Sequence, residues 1–225
     1  MGKEHKDNFI IRYFKQLLLL LVPLNCGGCG KNDVVFCQNC QEDLAKQIHP
    51  QYINKEYKLG KVITGGKYEG VLRQVILNWK DHGRDDLDYL IDKIINKILC
   101  NLDISYNSSN ILIIPAPSSR ISKTKRGKDQ GVILGKKILN NIKSAHLYPI
   151  LIQKSIKKQV NYSGLERQIN KRDKIRIKTI TKVYKNKKYI LVDDIITTGA
   201  TIRECQKALS SVGIVPDLTI ALAST

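Results

Sequence analysis

Residues 189–201 read YILVDDIITTGAT, and this stretch decides the fold. A short apolar run ends at two adjacent acids, Asp193 and Asp194, and a turn containing Thr and Gly follows. Apolar residues then recur at helical spacing over 201–212, and Gly213 is predicted to end that helix. The pattern predicts a buried strand, a tight loop and a helix N-terminus, the junction at which α/β proteins bind phosphate.

The predicted loop offers the groups that a sugar phosphate needs. Backbone N–H groups at a helix start, with the helix dipole, favour a phosphate, and threonine hydroxyls add donors. The two acids, at the carboxyl end of the strand, are predicted to accept hydrogen bonds from vicinal sugar hydroxyls. The expected ligand is a ribose 5-phosphate group, bound by Asp193, Asp194, Ile195, Ile196, Thr197, Thr198, Gly199, Ala200 and Thr201.

Short apolar strands alternate with amphipathic helices around this stretch. Further strands are predicted at 111–114, 147–152 and 218–223, and a helix over 130–143. Two more helices, predicted from apolar spacing, cover 71–79 and 86–99. The alternation is typical of an α/β domain with a parallel sheet flanked by helices. Two isolated cysteines fall on apolar helix faces and are predicted to be buried, unreactive thiols: Cys100 and Cys205.

Four of the six cysteines form two CxxC pairs within CGGCGKNDVVFCQNC at 26–40. A CxxC turn directs two thiolates at one ion, and two such turns complete a tetrahedral shell. Four protein sulfurs leave no open position for a reactive water, so the predicted Zn2+ is structural. Two disulfides are the alternative, disfavoured because nothing marks the chain as secreted. The predicted zinc ligands are Cys26, Cys29, Cys37 and Cys40.

Positive charge is concentrated in one block of the sequence. Residues 121–190 contain 20 Lys or Arg and three acids, against a formal net charge of +18 for the whole chain. Such a block is either a solvated surface or a face that binds polyanions. A phosphorylated small molecule and a nucleic acid backbone are both compatible with its sign.

An apolar run at 17–24 follows two basic residues near the N-terminus. It is shorter than the roughly 20 residues that span a bilayer, and no small-residue cleavage site follows it. Residues 9–21 are therefore predicted to form an amphipathic helix that packs on the protein, with no membrane span. The expected location is cytoplasmic.

The string at 189–201 resembles the phosphoribosyl-diphosphate motif of type I phosphoribosyltransferases. Together with the four-cysteine knuckle, three further segments occur in the order found in the ComF family: KYEGVLRQVILNWKDHG at 67–83, IIPAPSSR at 113–120 with the later RGKDQ, and QVNYSGLERQIN at 159–170. Nearly the whole chain thus resembles this family, which is similar to cytoplasmic competence factors used in DNA uptake. The resemblance implies a type I phosphoribosyltransferase-like fold with a small N-terminal zinc-ribbon-like module.

The expected division places an N-terminal helix and four-cysteine zinc finger at 1–48 and the phosphoribosyltransferase-like domain at 60–225. Within that domain, 60–106 is the lid or helical part and 110–225 the core. The resemblance also implies residue roles. These are a diphosphate loop of Ala116, Ser118, Ser119 and Arg120; a closing loop with Gln159, Arg167 and Asn170; an RGxxQ match at Arg126, Gly127 and Gln130; and Lys80 as a further diphosphate contact.

In the closing loop, Ile156 and Tyr162 stand where the family has Thr and Leu. The implied cofactor is Mg2+, bound with phosphoribosyl diphosphate or a related phosphosugar. Thr197 stands where the hypoxanthine and guanine class has a carboxylate, and the last strand leaves almost no chain for a C-terminal hood over a nucleobase. Any lid is therefore expected from residues 41–106.

Three functions stay open at this level. The first is a ComF-type cytoplasmic protein of DNA uptake and natural transformation, which binds single-stranded DNA through the basic block and meets competence or recombination proteins. The second is a Mg2+-dependent phosphoribosyltransferase of unknown acceptor. The third is a phosphoribosyl-diphosphate sensor without turnover.

Overall fold

A computed structural model describes the protein over residues 24–53, 60–102, 110–118, 124, 127, 129–142, 145–153, 175–178, 183–184 and 186–225. The amphipathic helix predicted over 9–21 lies outside these residues. Within them, no helix combines the length and apolar character needed to cross a bilayer.

The described ranges contain five α-helices and eight strands. The helices are α1 Gln38–Gln47, α2 Gly70–Asp81, α3 Asp88–Cys100, α4 Gln130–Leu139 and α5 Ala200–Ser210. The strands are β1 Gln51–Tyr52, β2 Val62–Thr64, β3 Ile111–Pro115, β4 Ala145–Leu147, β5 Leu151–Gln153, β6 Ile175–Ile177, β7 Lys188–Ile196 and β8 Leu218–Ser224.

Six strands form one sheet in the order β1-β2-β8-β7-β3-β4. All neighbours in it run parallel except β1 and β2, which are antiparallel. Strands β5 and β6 form a separate antiparallel ribbon. The predicted α/β class with a mostly parallel sheet is confirmed, and β7, the strand quoted first, lies inside the sheet.

Alternation along β7 explains why both sheet faces are covered. Ile190 and Val192 belong to the core that α2, α3 and α4 share with the sheet. Tyr189 and Leu191 point the other way, into a second core with α5 and the β5–β6 ribbon. A parallel strand buried on both faces needs an unbroken apolar run, which is what the sequence has there.

The cysteine module, residues 26–40 and α1, packs on the face of the sheet that α2 and α3 cover. Phe36 and Leu44 lie in the same apolar core as Trp79 and Leu87. The Asn78 side-chain amide, in α2, donates a hydrogen bond to the Gly27 carbonyl at 2.9 Å. The expected division at about residues 48–60 stays a prediction, and the two parts share one continuous core.

Some predicted boundaries were wrong. The strand predicted at 147–152 is two strands, because Pro149 lacks an N–H and interrupts any ladder. Its first part, β4, pairs with β3, and its second, β5, pairs with β6. The helix predicted over 130–143 ends at Leu139. Cys100, at the last position of α3, is exposed rather than buried, whereas Cys205 is fully buried as predicted.

Candidate functional site

The candidate sugar site lies where β7 and β3 end side by side. The two strands pair from Ile111 with Lys188 to Pro115 with Val192. One further bond, from the Ala116 N–H to the Val192 carbonyl at 2.7 Å, extends the pairing to the first acid. The predicted diphosphate loop therefore begins beside Asp193.

The predicted phosphate loop joins β7 to α5. Gly199 has φ +69°, a left-handed conformation that favours glycine, and α5 begins at the next residue. Thr197, Thr198 and Thr201 are exposed around it, as a set of hydroxyl donors for an anion requires. The Arg203 guanidinium donates to the Thr198 carbonyl at 2.9 Å, which fixes the loop against the first turn of the helix.

The two acids lie in different environments. Asp193 accepts a hydrogen bond from the Asp194 N–H at 2.9 Å. Burial, and then the charge of Asp194, raise the pKa of Asp193 to about 8. Burial, and then the charge of Asp193, also raise the pKa of the Cys205 thiol on α5, as expected for an unreactive cysteine. Asp193 is thus mostly protonated at neutral pH.

Asp194 carries its charge against a lysine from another element. Its Oδ2 lies 2.6 Å from the Nζ of Lys80 in α2, and its Oδ1 accepts the Ile195 N–H at 2.8 Å. The side chains of Lys80 and Asp194 are only 19% and 14% exposed. This ion pair is largely removed from water, so it is screened less than a surface pair.

Gln130 connects the lysine to the diphosphate loop. Its side-chain Nε2 donates to the Lys80 carbonyl at 3.2 Å, while its Oε1 is buried without a hydrogen-bond partner among the described residues. Next to it, a Cβ on Gly131 would lie 2.3 Å from the Ala116 carbonyl oxygen. The first turn of α4 therefore packs directly on the backbone of the predicted diphosphate loop.

Of the residues predicted for that loop, Ala116 is buried and Ser118 is half-buried. The Ser118 hydroxyl donates to the Asp129 carboxylate at 3.0 Å, just before α4. Gly127 has φ +66°. The other predicted contacts lie outside the described residues: Ser119, Arg120, Arg126, Gln159, Arg167 and Asn170.

The ribbon of β5 and β6 leads into and out of the segment that contains the predicted closing loop. Ile150, Leu151 and Ile175 pack in the same core as α5, the helix that the phosphate loop opens. Both ends of the segment are therefore attached to the α5 face of the sheet.

The four-cysteine cluster fits a zinc ion. All four Sγ atoms lie within 4.8 Å of one another, and Cys29 and Cys37 are 3.7 Å apart. Zinc–sulfur bonds of about 2.3 Å in a tetrahedron separate neighbouring sulfurs by about 3.8 Å. All four cysteines are free thiols here, which does not support the disulfide alternative. These residues would hold the ion as a structural tie between the turn at Cys26 and the start of α1.

Local backbone geometry makes this cluster possible. A Cβ on Gly28 would lie 2.6 Å from the Cys40 sulfur, so only glycine allows the first turn to close. Burial raises the pKa of Cys26, but N–H donors from Cys29, Cys37 and Gly28 outweigh it and lower the value to about 6. Burial and the neighbouring thiols raise the pKa of Cys40. Sulfurs this close repel as thiolates, and a divalent cation removes that repulsion.

Two parts of the site were not predicted from the sequence. The Lys80–Asp194 ion pair joins residues far apart in the chain, and Lys80 was expected only as a diphosphate contact. The bond from Ser118 to Asp129 was also missed. The signal for this bond was Asp129, which directly precedes the predicted helix and occupies the N-cap position that Asp favours.

No protein-family model matches the chain. A curated relative, Competence protein F of Haemophilus influenzae, is 24% identical over 203 residues, which cover 84% of this chain and 85% of the relative. This similarity agrees with the resemblance to the ComF family.

Two solved structures similar to the chain are adenine phosphoribosyltransferases, each 13% identical to it. The enzyme of Thermoanaerobacter pseudethanolicus has a TM-score of 0.38, covering 82% of this chain and 99% of that one. The enzyme of Trypanosoma brucei, in complex with AMP, pyrophosphate and ribose-5-phosphate, has a TM-score of 0.40, covering 78% and 87%. The chain is thus similar to Competence protein F over most of its length, and its described residues form an α/β fold with a mostly parallel sheet.

Proposed function

We propose that the protein binds phosphoribosyl diphosphate with Mg2+ at the carboxyl edge of its sheet, and that it serves DNA uptake in the cytoplasm. One observation carries the binding proposal. The phosphate loop, the two acids and the diphosphate loop converge at the adjacent ends of β7 and β3, in the order that a ribose carrying phosphate at C5 and diphosphate at C1 requires.

Each part of that ligand has a matching group. Thr197 to Thr201 and the N-terminus of α5 suit the 5-phosphate. Asp194 suits a sugar hydroxyl as an acceptor, and protonated Asp193 suits it as a donor or an acceptor. Ser118 and the start of α4 suit the diphosphate. Mg2+, when bound, would neutralise diphosphate oxygens, and carboxylates are the protein ligands that it prefers.

Calorimetric titration tests this site. The protein should bind phosphoribosyl diphosphate in the presence of Mg2+, and the double variant Asp193→Asn with Asp194→Asn should bind it at least tenfold more weakly. Asp43→Asn is a matched control, because Asp43 is an exposed acid of α1. Equal affinity of the wild type and the double variant would show that the acids do not hold the sugar. Release of diphosphate with candidate acceptors would separate turnover from binding.

The role in DNA uptake is supported by the relative named Competence protein F and by the basic block at 121–190. Within the described part of the block, Arg176 on β6 and Lys178 directly after it are exposed. Exposed cationic residues of this kind attract a phosphate backbone. We propose that single-stranded DNA binds along this face.

Measuring affinity for single-stranded DNA against salt concentration tests that proposal. Affinity should fall steeply as the salt concentration rises. The double variant Arg176→Ala with Lys178→Ala should bind more weakly, and its slope of log affinity against log salt concentration should be smaller by about one to two. Lys46→Ala, an exposed lysine outside the block, should leave both unchanged. Affinity that changes neither with salt concentration nor in the double variant of Arg176 and Lys178 would exclude this surface.

A further inference from the structure

Two tyrosines of the basic block at 121–190 meet on the α5 face of the sheet. Tyr148 directly follows β4, Tyr184 precedes β7, and their ring centroids lie 5.8 Å apart at an interplanar angle of 73°. This edge-to-face geometry is one that aromatic rings favour. Both residues are half-buried at the margin of the core that contains Leu191. The sequence did not predict this pair, because its two members are far apart in the chain.

Hydrogen bonds hold the backbone of both tyrosines in place. The Tyr184 N–H donates to the Tyr189 hydroxyl oxygen at 3.0 Å, and that hydroxyl donates to the Tyr184 carbonyl at 2.9 Å. The Tyr148 N–H donates to the Ile113 carbonyl of β3 at 2.7 Å. A tyrosine on a fixed backbone loses little conformational freedom when a ligand stacks on its ring. The pair is therefore preorganised to bind a planar group.

The exposed cations of the ribbon are attached to the same segment. The Lys178 N–H donates to the Ile150 carbonyl at 2.8 Å, and the Ile150 N–H donates to the Tyr148 carbonyl at 2.9 Å. Ile177, which lies between the exposed Arg176 and Lys178, packs at the margin of the same core as both tyrosines. Positive charge and aromatic surface thus adjoin on this face.

The combination favours one kind of polyanion. Cations alone attract any phosphate backbone, whereas an aromatic ring adds affinity only where bases are free to stack on it. The bases of a duplex are stacked on one another, and phosphoribosyl diphosphate carries no base. Val183, next to Tyr184, is 42% exposed and extends the apolar surface beside the rings. A single strand is therefore the polyanion that matches both components of the face.

We propose that Tyr148 and Tyr184 form a stacking site for an unpaired base of single-stranded DNA, whose phosphates are bound by Arg176 and Lys178. This inference rests on the proposed DNA-binding role and assigns the base contacts of the same face. Base stacking does not release the counterions of the phosphates, so its contribution to affinity depends little on salt. The ionic and stacking components can therefore be measured separately.

The test compares a deoxythymidine oligonucleotide with an abasic oligonucleotide of the same length, by fluorescence anisotropy. The wild type should bind the thymidine probe more tightly. The double variant Tyr148→Leu with Tyr184→Leu should bind that probe about fivefold or more weakly, with unchanged affinity for the abasic probe. Replacing both tyrosines with Phe keeps the rings and should preserve the preference. Tyr89→Leu, which removes a 51% exposed tyrosine of α3, is the matched control and should change neither affinity.

Other results would overturn the inference or the proposed role. Equal affinity of the wild type for the two probes would show that bases contribute nothing, and the inference would be wrong. A folded Leu double variant that keeps the preference for thymidine would place the stacking elsewhere and would also overturn it. A wild type that binds neither probe refutes the proposed DNA-binding role itself.

Both tyrosines contact the core, so folding of the Leu double variant is checked by a thermal melt. Should it not fold, the wild type is photo-crosslinked to an oligonucleotide that carries 5-iododeoxyuridine, a base that reacts with aromatic side chains stacked on it. The inference predicts that the crosslink maps to Tyr148 or Tyr184. A crosslink that maps only to other residues would overturn it.

Discussion

Replacing Asp193 with Asn should make the stability of the protein less sensitive to rising pH. Burial and the charge of Asp194 raise the pKa of Asp193 to about 8, whereas an unfolded Asp titrates near about 3.9. Between these values the folded chain holds a proton that the unfolded chain has released. The stability from this group is fully present below about pH 4 and is lost as the pH rises through 8.

The size of the effect follows from the same pKa. With about 1.4 kcal/mol for each unit of difference, the bound proton contributes about 3 kcal/mol at pH 6 and less than about 1 kcal/mol at pH 8. The wild type should therefore lose roughly 2 kcal/mol of unfolding free energy over this interval, relative to a variant without the titration. Asn keeps an oxygen for the Asp194 N–H, so it mimics the protonated acid.

Urea unfolding at about pH 6, 7 and 8 measures this difference. The free energies of unfolding of the wild type and Asp193→Asn should diverge as the pH rises, with the variant the more stable at pH 8. Asp43→Asn, which removes an exposed acid, should follow the wild type at each pH. Parallel curves for the wild type and Asp193→Asn would refute the reasoning, because they would show that Asp193 ionises normally in the folded chain.

Three further predictions concern packing and metal. Gly131→Ala should lower the unfolding free energy by about 1–3 kcal/mol, since its Cβ would meet a backbone carbonyl. Gly135→Ala should lower it less in the same urea assay, because the one close contact of its Cβ is the end of the Leu147 side chain. Lys137 lies 3.0 and 3.5 Å from two carboxylates of α3, so Lys137→Met should lower the melting temperature by several degrees and the adjacent, exposed Lys136→Met should not. Cys29→Ser should reduce bound zinc, measured by elemental analysis, and lower the melting temperature; zinc content equal to that of the wild type would remove this cysteine from the ligand set.

The central strand and loop were predictable from the sequence because local signals agree there. An unbroken apolar run, two acids and a glycine before a helical pattern all belong to one short segment, 189–201. The cysteine cluster was predictable for the same reason, since its spacing alone brings two pairs of thiols together. In each case the interacting groups are close in the chain.

The other features depend on tertiary structure. The Lys80–Asp194 pair requires α2 to end at the carboxyl edge of the sheet, which depends on how that helix packs. Strands of two or three residues, such as β1 and β6, are too short to show a period. The break at Pro149 was readable in principle, because proline has no N–H for a ladder. Cys100 shares the exposed face of its helix with Lys93, Asn96 and Lys97, whereas Ile98 is buried in the core.

The hydrogen bond from Asn78 to the Gly27 carbonyl links two regions that a truncation experiment would treat as separate. Asn78 lies two residues before Lys80, on the helix that reaches the sugar edge. Removing the cysteine module would uncover the apolar side chains of α2 and α3 that it now packs against, and would free the helix that positions Lys80. A shortened protein that failed to bind a phosphosugar would therefore say little about the sugar site. Single substitutions in the intact 225-residue chain are the informative experiments.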